Sequence, residues 1–220
     1  MIKGVAFDMY GTLYDVFSVA EKCESLYPGK GEQISKIWRN KQLEYSWLRT
    51  LMNQYENFWY ITKDALYYAL DSMNIDYDSS QINDIMNSYF TLTPYPEVVE
   101  ALQRFSPYKR AILTNGNSDM FNSLVIRTGL NKYLEGTLSA DTVQLFKPRP
   151  EIYQLAIDFF GANKNEILFV SSNAWDIAGA KSFGFTVGWV NRLNQPTEQL
   201  GVQSDYIVSN LLELAQAVIA

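Results

Sequence analysis

The sequence predicts an α/β protein: a doubly wound parallel sheet interrupted, after its first strand, by an all-helical block. Short apolar runs such as Val5-Ala6-Phe7 and Ile167-Leu168-Phe169-Val170 suit strands buried on both faces, which do not alternate apolar with polar residues. Helix-like stretches lie between such runs, and strands alternating with helices build a parallel sheet through right-handed crossovers. From about Asp15 to about Thr93 the pattern changes. That stretch has few glycines, many aromatics and apolar residues at helical spacing.

The first strand, Val5 to Phe7, ends at Asp8; Gly11 then permits a sharp turn, and Thr12 offers a hydroxyl to the loop or a ligand. In the helical block Ile34, Trp38, Tyr45, Leu48, Met52 and Tyr55 recur at helical spacing. Tyr67, Leu70 and Met73, then Ile82, Ile85 and Tyr89, predict two further helices, with most of the aromatics packed between them. Thr93-Pro94-Tyr95-Pro96-Glu97 reads as a hinge and helix start, since Pro fixes φ and suits a first helical turn. Lys109 to Leu113 is a second buried strand, and Asn117, Ser118 or Asp119 caps a helix to about Thr128. Gly136 to Ser139 is a weaker strand, and Lys147-Pro148-Arg149-Pro150-Glu151 opens a helix through about Phe160. After the strand Ile167 to Val170 a helix runs to Phe183, with Gly184 as its stop. Val187 to Val190 and Tyr206 to Val208 are further strands, and Leu211 to Ala220 is a closing helix. The expected division is a Rossmann-like core of residues 1–14 and 94–220 and a helical cap of residues 15–93.

Composition narrows the function. A chain of 220 residues can form a core with a small insert, and 47% hydrophobic residues suffice for a sizeable interior. A net charge of -6 argues against nucleic acid or an anionic membrane as partner. The single Cys23 forms no internal disulfide, and no apolar run reaches membrane-spanning length, so a cytoplasmic location is expected. Histidine is absent, which excludes Ser-His-Asp and Cys-His catalysis and His-ligated metals. Acid-base chemistry must then come from carboxylates, Lys, Tyr or water.

Four polar turns close the predicted strands: Asp8 to Thr12, Thr114 to Ser118, the Lys147 loop, and Ser171 to Asp176. A parallel sheet brings such strand ends to one edge, where its ligand crevice lies. Each is weak alone. Asp-x-x-Gly and Asn115-Gly116 are common turns, and a lysine before proline is usually solvated. Asp8 is nevertheless a sensible nucleophile, exposed by its loop and fixed by its strand.

Phe7-Asp8-Met9-Tyr10-Gly11-Thr12-Leu13 resembles the first motif of the haloacid dehalogenase superfamily, and the four turns in order resemble its four motifs. Magnesium phosphatases of that superfamily carry a second Asp where this chain has Tyr10, and a metal-ligating Asp where it has Ser172. Ser171-Ser172-Asn173-Ala174-Trp175-Asp176 instead resembles the fourth motif of its L-2-haloacid dehalogenases. Trp38 to Leu48 is similar to that subfamily's arginine helix. Thr114 stands where the subfamily often has Ser, which keeps the hydroxyl.

The resemblance implies hydrolysis of short L-2-haloalkanoic acids to D-2-hydroxy acids, with Asp8 as nucleophile and no metal or cofactor. It also implies Arg39 and Asn115 as the halide cradle. The charges agree with it. An anionic substrate approaching Asp8 is repelled by about 4 kcal/mol at 4 Å and an effective dielectric near 20, so something positive must offset it, and Lys147 is the candidate in the core. Thr114, Asn115 and the helix start after them offer donors to the substrate carboxylate. Trp175, with Leu43 and Phe58, forms an apolar wall beside Tyr10. Asp176 is expected to assist ester hydrolysis through water and Lys147; Tyr153, Ser171 and Asn173 are expected to orient the reacting groups, and Thr12 to bond a substrate oxygen or its own loop. The alternatives are hydrolysis of another small 2-substituted or cyclic imino acid by the same Asp, a phosphatase, and a non-catalytic binding protein. The expected partners are the 2-haloacid and halide, and the aromatic-rich cap could bury a homodimer face.

Overall fold

The computed structural model describes residues 1–219; Ala220, included above in the closing helix, lies outside the described residues. The chain begins with β1 (Gly4–Phe7) and then enters four helices: α1 (Val19–Leu26), α2 (Gly31–Leu51), α3 (Phe58–Ser72) and α4 (Ser79–Asn87). It returns through α5 (Val98–Arg104), β2 (Lys109–Thr114), α6 (Ser118–Arg127), β3 (Gly136–Ser139), α7 (Pro150–Phe160) and β4 (Ile167–Ser171). The remaining elements are α8 (Ala174–Phe183), β5 (Thr186–Val190), β6 (Tyr206–Val208) and α9 (Leu211–Ile219).

The strands form one parallel sheet in the order β3-β2-β1-β4-β5-β6. β1 is fully buried between β2 and β4, with Phe7 in register with Ile112 and Val170. From β1 the crossovers run outward both ways, so the strand order reverses beside it. An open α/β sheet leaves its crevice at such a reversal, outside the carboxyl ends of the strands. Asp8, Thr114 and Ser171 stand there together. The buried patterns of β1 and β4 follow from their uninterrupted apolar runs. Pro150 supplies the first residue of α7, and left-handed Gly184 (φ 112°) ends α8.

The helical block folds on itself before it meets the sheet. The Trp38 indole N–H donates to the Thr62 carbonyl at 2.6 Å, tying α2 to α3. α1 and α2 approach so closely that a Cβ on Gly31 would fall 2.6 Å from the Ala20 carbonyl oxygen. The apolar cluster does not stop at the block's edge: Trp38, Phe58 and Tyr89 belong to the same buried set as Phe7, Leu113 and Val170. Among the described residues, no helix is long and apolar enough to cross a membrane.

Some expectations about the helices need correction. The long helix ends at Leu51; Met52 caps it, Asn53 turns left-handed at φ 54°, and Tyr55 leaves the helix to stack on Phe146. Met73 caps α3, and Tyr89 sits in a 3-10 turn, Ser88–Thr91, rather than in α4. Asn117 occupies the N-cap position of α6, but its side chain does not cap the helix. It accepts instead from the Trp59 backbone N–H at 3.2 Å, a sheet-to-helical-block contact that the local sequence does not encode.

Candidate active site

The site is built from loops that leave neighbouring strands. Asp8 follows β1, and Gly11 in the left-handed region (φ 86°) folds the next residues back over it. Asp8 Oδ2 accepts from Thr12 Oγ1 at 3.0 Å, Ser171 Oγ at 3.2 Å and Asn173 Nδ2 at 2.8 Å. Both hydroxyls are themselves oriented. Thr12 Oγ1 accepts the Ser172 N–H at 2.8 Å and Ser171 Oγ accepts the Asn173 N–H at 3.0 Å, leaving each hydroxyl proton for Asp8. The other oxygen, Asp8 Oδ1, faces Lys147 Nζ at 3.0 Å. Lys147 also donates to Asp176 Oδ2 at 2.7 Å, and the Tyr153 hydroxyl donates to Asp176 Oδ1 at 2.7 Å. Lys147 and Asp176 are both shut off from solvent, while Asp8 retains 6% exposure.

The helical block contributes Arg39 from α2. Its Nη1 donates to Gln42 Oε1 at 2.7 Å and its Nη2 to Asn173 Oδ1 at 3.3 Å. With Oδ1 taken by arginine, the Asn173 amide turns its Nδ2 toward Asp8 and the Tyr10 carbonyl. A cleft of about 680 Å³ opens over this corner, with Arg39, Leu43, Asn173 and Trp175 in its lining. Trp47 meets Trp175 edge to face, centroids 5.4 Å apart, and so braces that wall from the helical side.

The model of the haloacid dehalogenase-like hydrolases matches residues 2–184. The chain belongs to that family. It is 49% identical over 195 residues to an (S)-2-haloacid dehalogenase of Xanthobacter autotrophicus, covering 89% of this chain and 77% of that protein. It is 44% identical to haloacetate dehalogenase H-2 of a Moraxella species, covering 94% and 93%. The solved L-2-haloacid dehalogenase of X. autotrophicus with chloropropionic acid covalently bound superposes with a TM-score of 0.95 at 41% identity, over 100% of this chain and 99% of that one.

In this haloacid dehalogenase-like chain the buried charges set each other's protonation. Burial pushes the Asp176 carboxyl up; Lys147 pulls it down and Asp8 raises it again, leaving it at about 6. Burial alone would lower Lys147, but the Asp176 and Asp8 carboxylates outweigh it and hold the ammonium above its ordinary range. Burial, then the Asp176 carboxylate, raises the Tyr153 phenol, which stays a hydrogen-bond donor. Asp8 and Asp176 thus share one ammonium, that of Lys147, and the trio keeps one negative charge when all three groups are ionised. Among the described residues no cluster of three or more acidic or thiol side chains could hold a metal ion.

The remaining candidates fall less directly on the Asp8 carboxylate. Asn115 accepts the Lys147 backbone N–H at 3.0 Å through Oδ1, so its carbonyl end fixes the lysine loop. The Thr114 hydroxyl accepts the Gly116 N–H at 3.1 Å and is fully buried, which gives it a turn to hold. Tyr10 packs on Phe58 and Tyr89, and its hydroxyl has no partner among the described residues. Phe58 is sealed between Tyr10 and Phe146 and does not line the cleft that Leu43 and Trp175 share.

Sequence reasoning gave no role to Gln42, which holds Arg39. Its Nε2 donates to Thr62 Oγ1 at 2.7 Å and to the Tyr89 hydroxyl at 3.1 Å, so both ends of the amide are used. The signal was present: Gln42 lies one turn from Trp38 on the buried face of α2, where a polar residue needs partners. Trp189, whose indole N–H donates to the Ser172 carbonyl at 3.2 Å, had no comparable local signature.

Proposed function

We propose that the chain hydrolyses short L-2-haloalkanoic acids to D-2-hydroxy acids through an ester on Asp8, without a metal ion. The observation that carries this reading is the asymmetry of the Asp8 carboxylate: one oxygen is held by Thr12, Ser171 and Asn173, the other, among the described residues, by Lys147 alone. Oδ1 is therefore the freer oxygen for in-line attack on C2. A C–O bond forms as the carbon–halogen bond breaks, and configuration at C2 inverts. Arg39 and Asn115 meet the departing halide, on which negative charge grows only in the transition state. Trp175 and Leu43 shelter the substrate's alkyl group.

Water then adds to the ester carbonyl carbon, giving up its proton toward Asp176. Negative charge develops on Oδ2, the oxygen that already accepts from Thr12, Ser171 and Asn173, so the same donors that restrain the nucleophile become an oxyanion hole. Collapse breaks the Cγ–Oδ1 bond, the proton held by Asp176 passes to the departing alkoxide, and the Asp8 carboxyl loses the remaining water proton to solvent. Lys147 offsets the charge of the approaching anion in the first step and that of the regenerated Asp8 carboxylate in the second. In this reading residues 15–93 act as a cap over a core of residues 1–14 and 94–220. The names of the relatives support the substrate class, and the covalent chloropropionic acid in the Xanthobacter structure supports a covalent route.

The test is halide release from L- and D-2-chloropropionate, followed by single-turnover hydrolysis in H₂¹⁸O. Release from the L form only, indifferent to EDTA, is expected, and label should enter the Asp8 carboxylate first. Asp8→Asn should fold and not turn over. Label found directly in product during the first turnover would reject the ester, and chelator-sensitive phosphate release from phosphomonoesters would return the phosphatase reading.

A further inference from the structure

The two passes of chain between the sheet and the helical block run side by side. The Tyr95 N–H donates to the Leu13 carbonyl at 3.0 Å and the Asp15 N–H to the Thr93 carbonyl at 3.0 Å. One side chain from the sheet side grips both passes. Arg192, in the loop after β5, donates through Nη1 to Glu97 Oε1 at 2.6 Å and through Nη2 to the Thr12 carbonyl at 3.0 Å. Its guanidinium lies over the Tyr95 ring, with Cζ 3.7 Å from the centroid. Arg192 and Glu97 are only 16% and 14% exposed, so the pair escapes most of the screening that weakens surface ion pairs. Thr12 is fully buried, and Arg192 is the only donor to its carbonyl among the described residues.

We infer that Arg192 is a positioning residue: by gripping Thr12, Tyr95 and Glu97 together, it sets the Thr12 hydroxyl against Asp8 and seats the helical block over the sheet. Thr12 links the two ends of this chain, since its carbonyl meets Arg192 and its hydroxyl donates to Asp8 at 3.0 Å. The arrangement needs a planar fork. A lysine ammonium would reach one acceptor and lose the stacked face on Tyr95.

The kinetic part of the test rests on the proposed dehalogenation; a second part does not. Arg192→Met should lower kcat on L-2-chloropropionate by about 10–100-fold with a smaller change in KM, because a displaced Thr12 misplaces the nucleophile. Arg192→Lys should recover little of it. Hydrogen exchange at the Asp15 and Tyr95 amides should speed up by about tenfold in both variants while α9 stays unchanged, as expected when a local clamp is lost. If the wild-type protein releases no halide, the functional reading fails and exchange alone decides the clamp. Unchanged exchange overturns the inference, and so does faster exchange with kcat within twofold of wild type, which would make Arg192 a structural tether only. Should Arg192→Met fail to fold, Arg192→Lys and Glu97→Gln carry the same two measurements.

Discussion

Asp176 is a carboxyl closed off from water, with an ammonium on one oxygen and a phenol on the other. Burial holds it at about 6, above the ordinary carboxylate range, with Lys147 opposing and Asp8 adding to the shift. The sign of the pH dependence follows. As pH falls through about 6, Asp176 takes up a proton and can no longer receive one from water. Ester hydrolysis should therefore fail on the acid side while alkylation of Asp8 continues. Lys147, raised by the two carboxylates, keeps its proton well into the alkaline range, so no loss from it is expected near pH 9. A kcat–pH profile should show an acid limb near 6, and quenched reactions below it should accumulate the ester. Asp176→Asn should remove the limb along with most of the turnover; a limb that persists in that variant would assign it to another group.

Among the helices, α2 brings Arg39 to the cleft from one edge of its buried face. Trp38 and Gln42, a turn apart, fasten that face to α3 through the Thr62 carbonyl and hydroxyl. Gln42 then presents its Oε1 to Arg39, whose second nitrogen reaches Asn173 across the cleft. An arginine beside an apolar stripe buries its stem and leaves its fork free, and here the fork is held at both ends. Arg39→Ala should lower kcat by about 10²–10³-fold, more than it raises KM, since departing halide needs the charge more than bound substrate does. Gln42→Leu keeps the guanidinium but frees it, and a loss on the order of tenfold is expected. Steady-state kinetics on both variants check the order. A Gln42→Leu defect equal to that of Arg39→Ala would mean that the fork works only when held.

Across the whole molecule, the helical block and the sheet share one apolar interior. Leu13 and Tyr14 leave the Asp8 loop and enter the same buried set as Trp38, Phe58 and Tyr89. Polar contacts then cross the boundary at several points: Tyr55 to Asp141, the Phe146 N–H to Thr50 Oγ1 at 3.1 Å, and the Trp59 N–H to Asn117. A boundary this continuous should not unfold in two stages. Trp38 reports on the helical block, Trp189 on the sheet, and Trp59 and the Trp47–Trp175 pair on the boundary between them. Urea transitions followed by tryptophan fluorescence and by far-UV circular dichroism should coincide in midpoint. A separate early fluorescence transition would show that the helical block opens alone.

The strands of the sheet, the insertion of a helical block after the first of them, and the strand-end positions of Asp8 and Thr114 were legible in the sequence, as were Lys147 in the loop beyond β3 and Asp176 in the first turn of α8 as members of the same edge. Buried parallel strands are written as apolar runs, and a parallel sheet delivers their ends to one edge whatever the rest of the chain does. Helix ends and caps were less legible. Of the three cap candidates Asn117, Ser118 and Asp119, Asn117 takes the N-cap position, yet a backbone N–H from Trp59, distant in sequence, holds its side chain in place of the helix end. Only the tertiary structure decided which Asp8 oxygen carries three donors and which faces Lys147. It also decided that Gln42 orients Arg39 and that Arg192 ties Thr12 to Glu97. Those pairings join residues from different elements, and their directions depend on rotamers and helix placement that no local pattern encodes. Periodicity sets which face of an element is buried; packing against the neighbouring element sets what each polar group on that face must find.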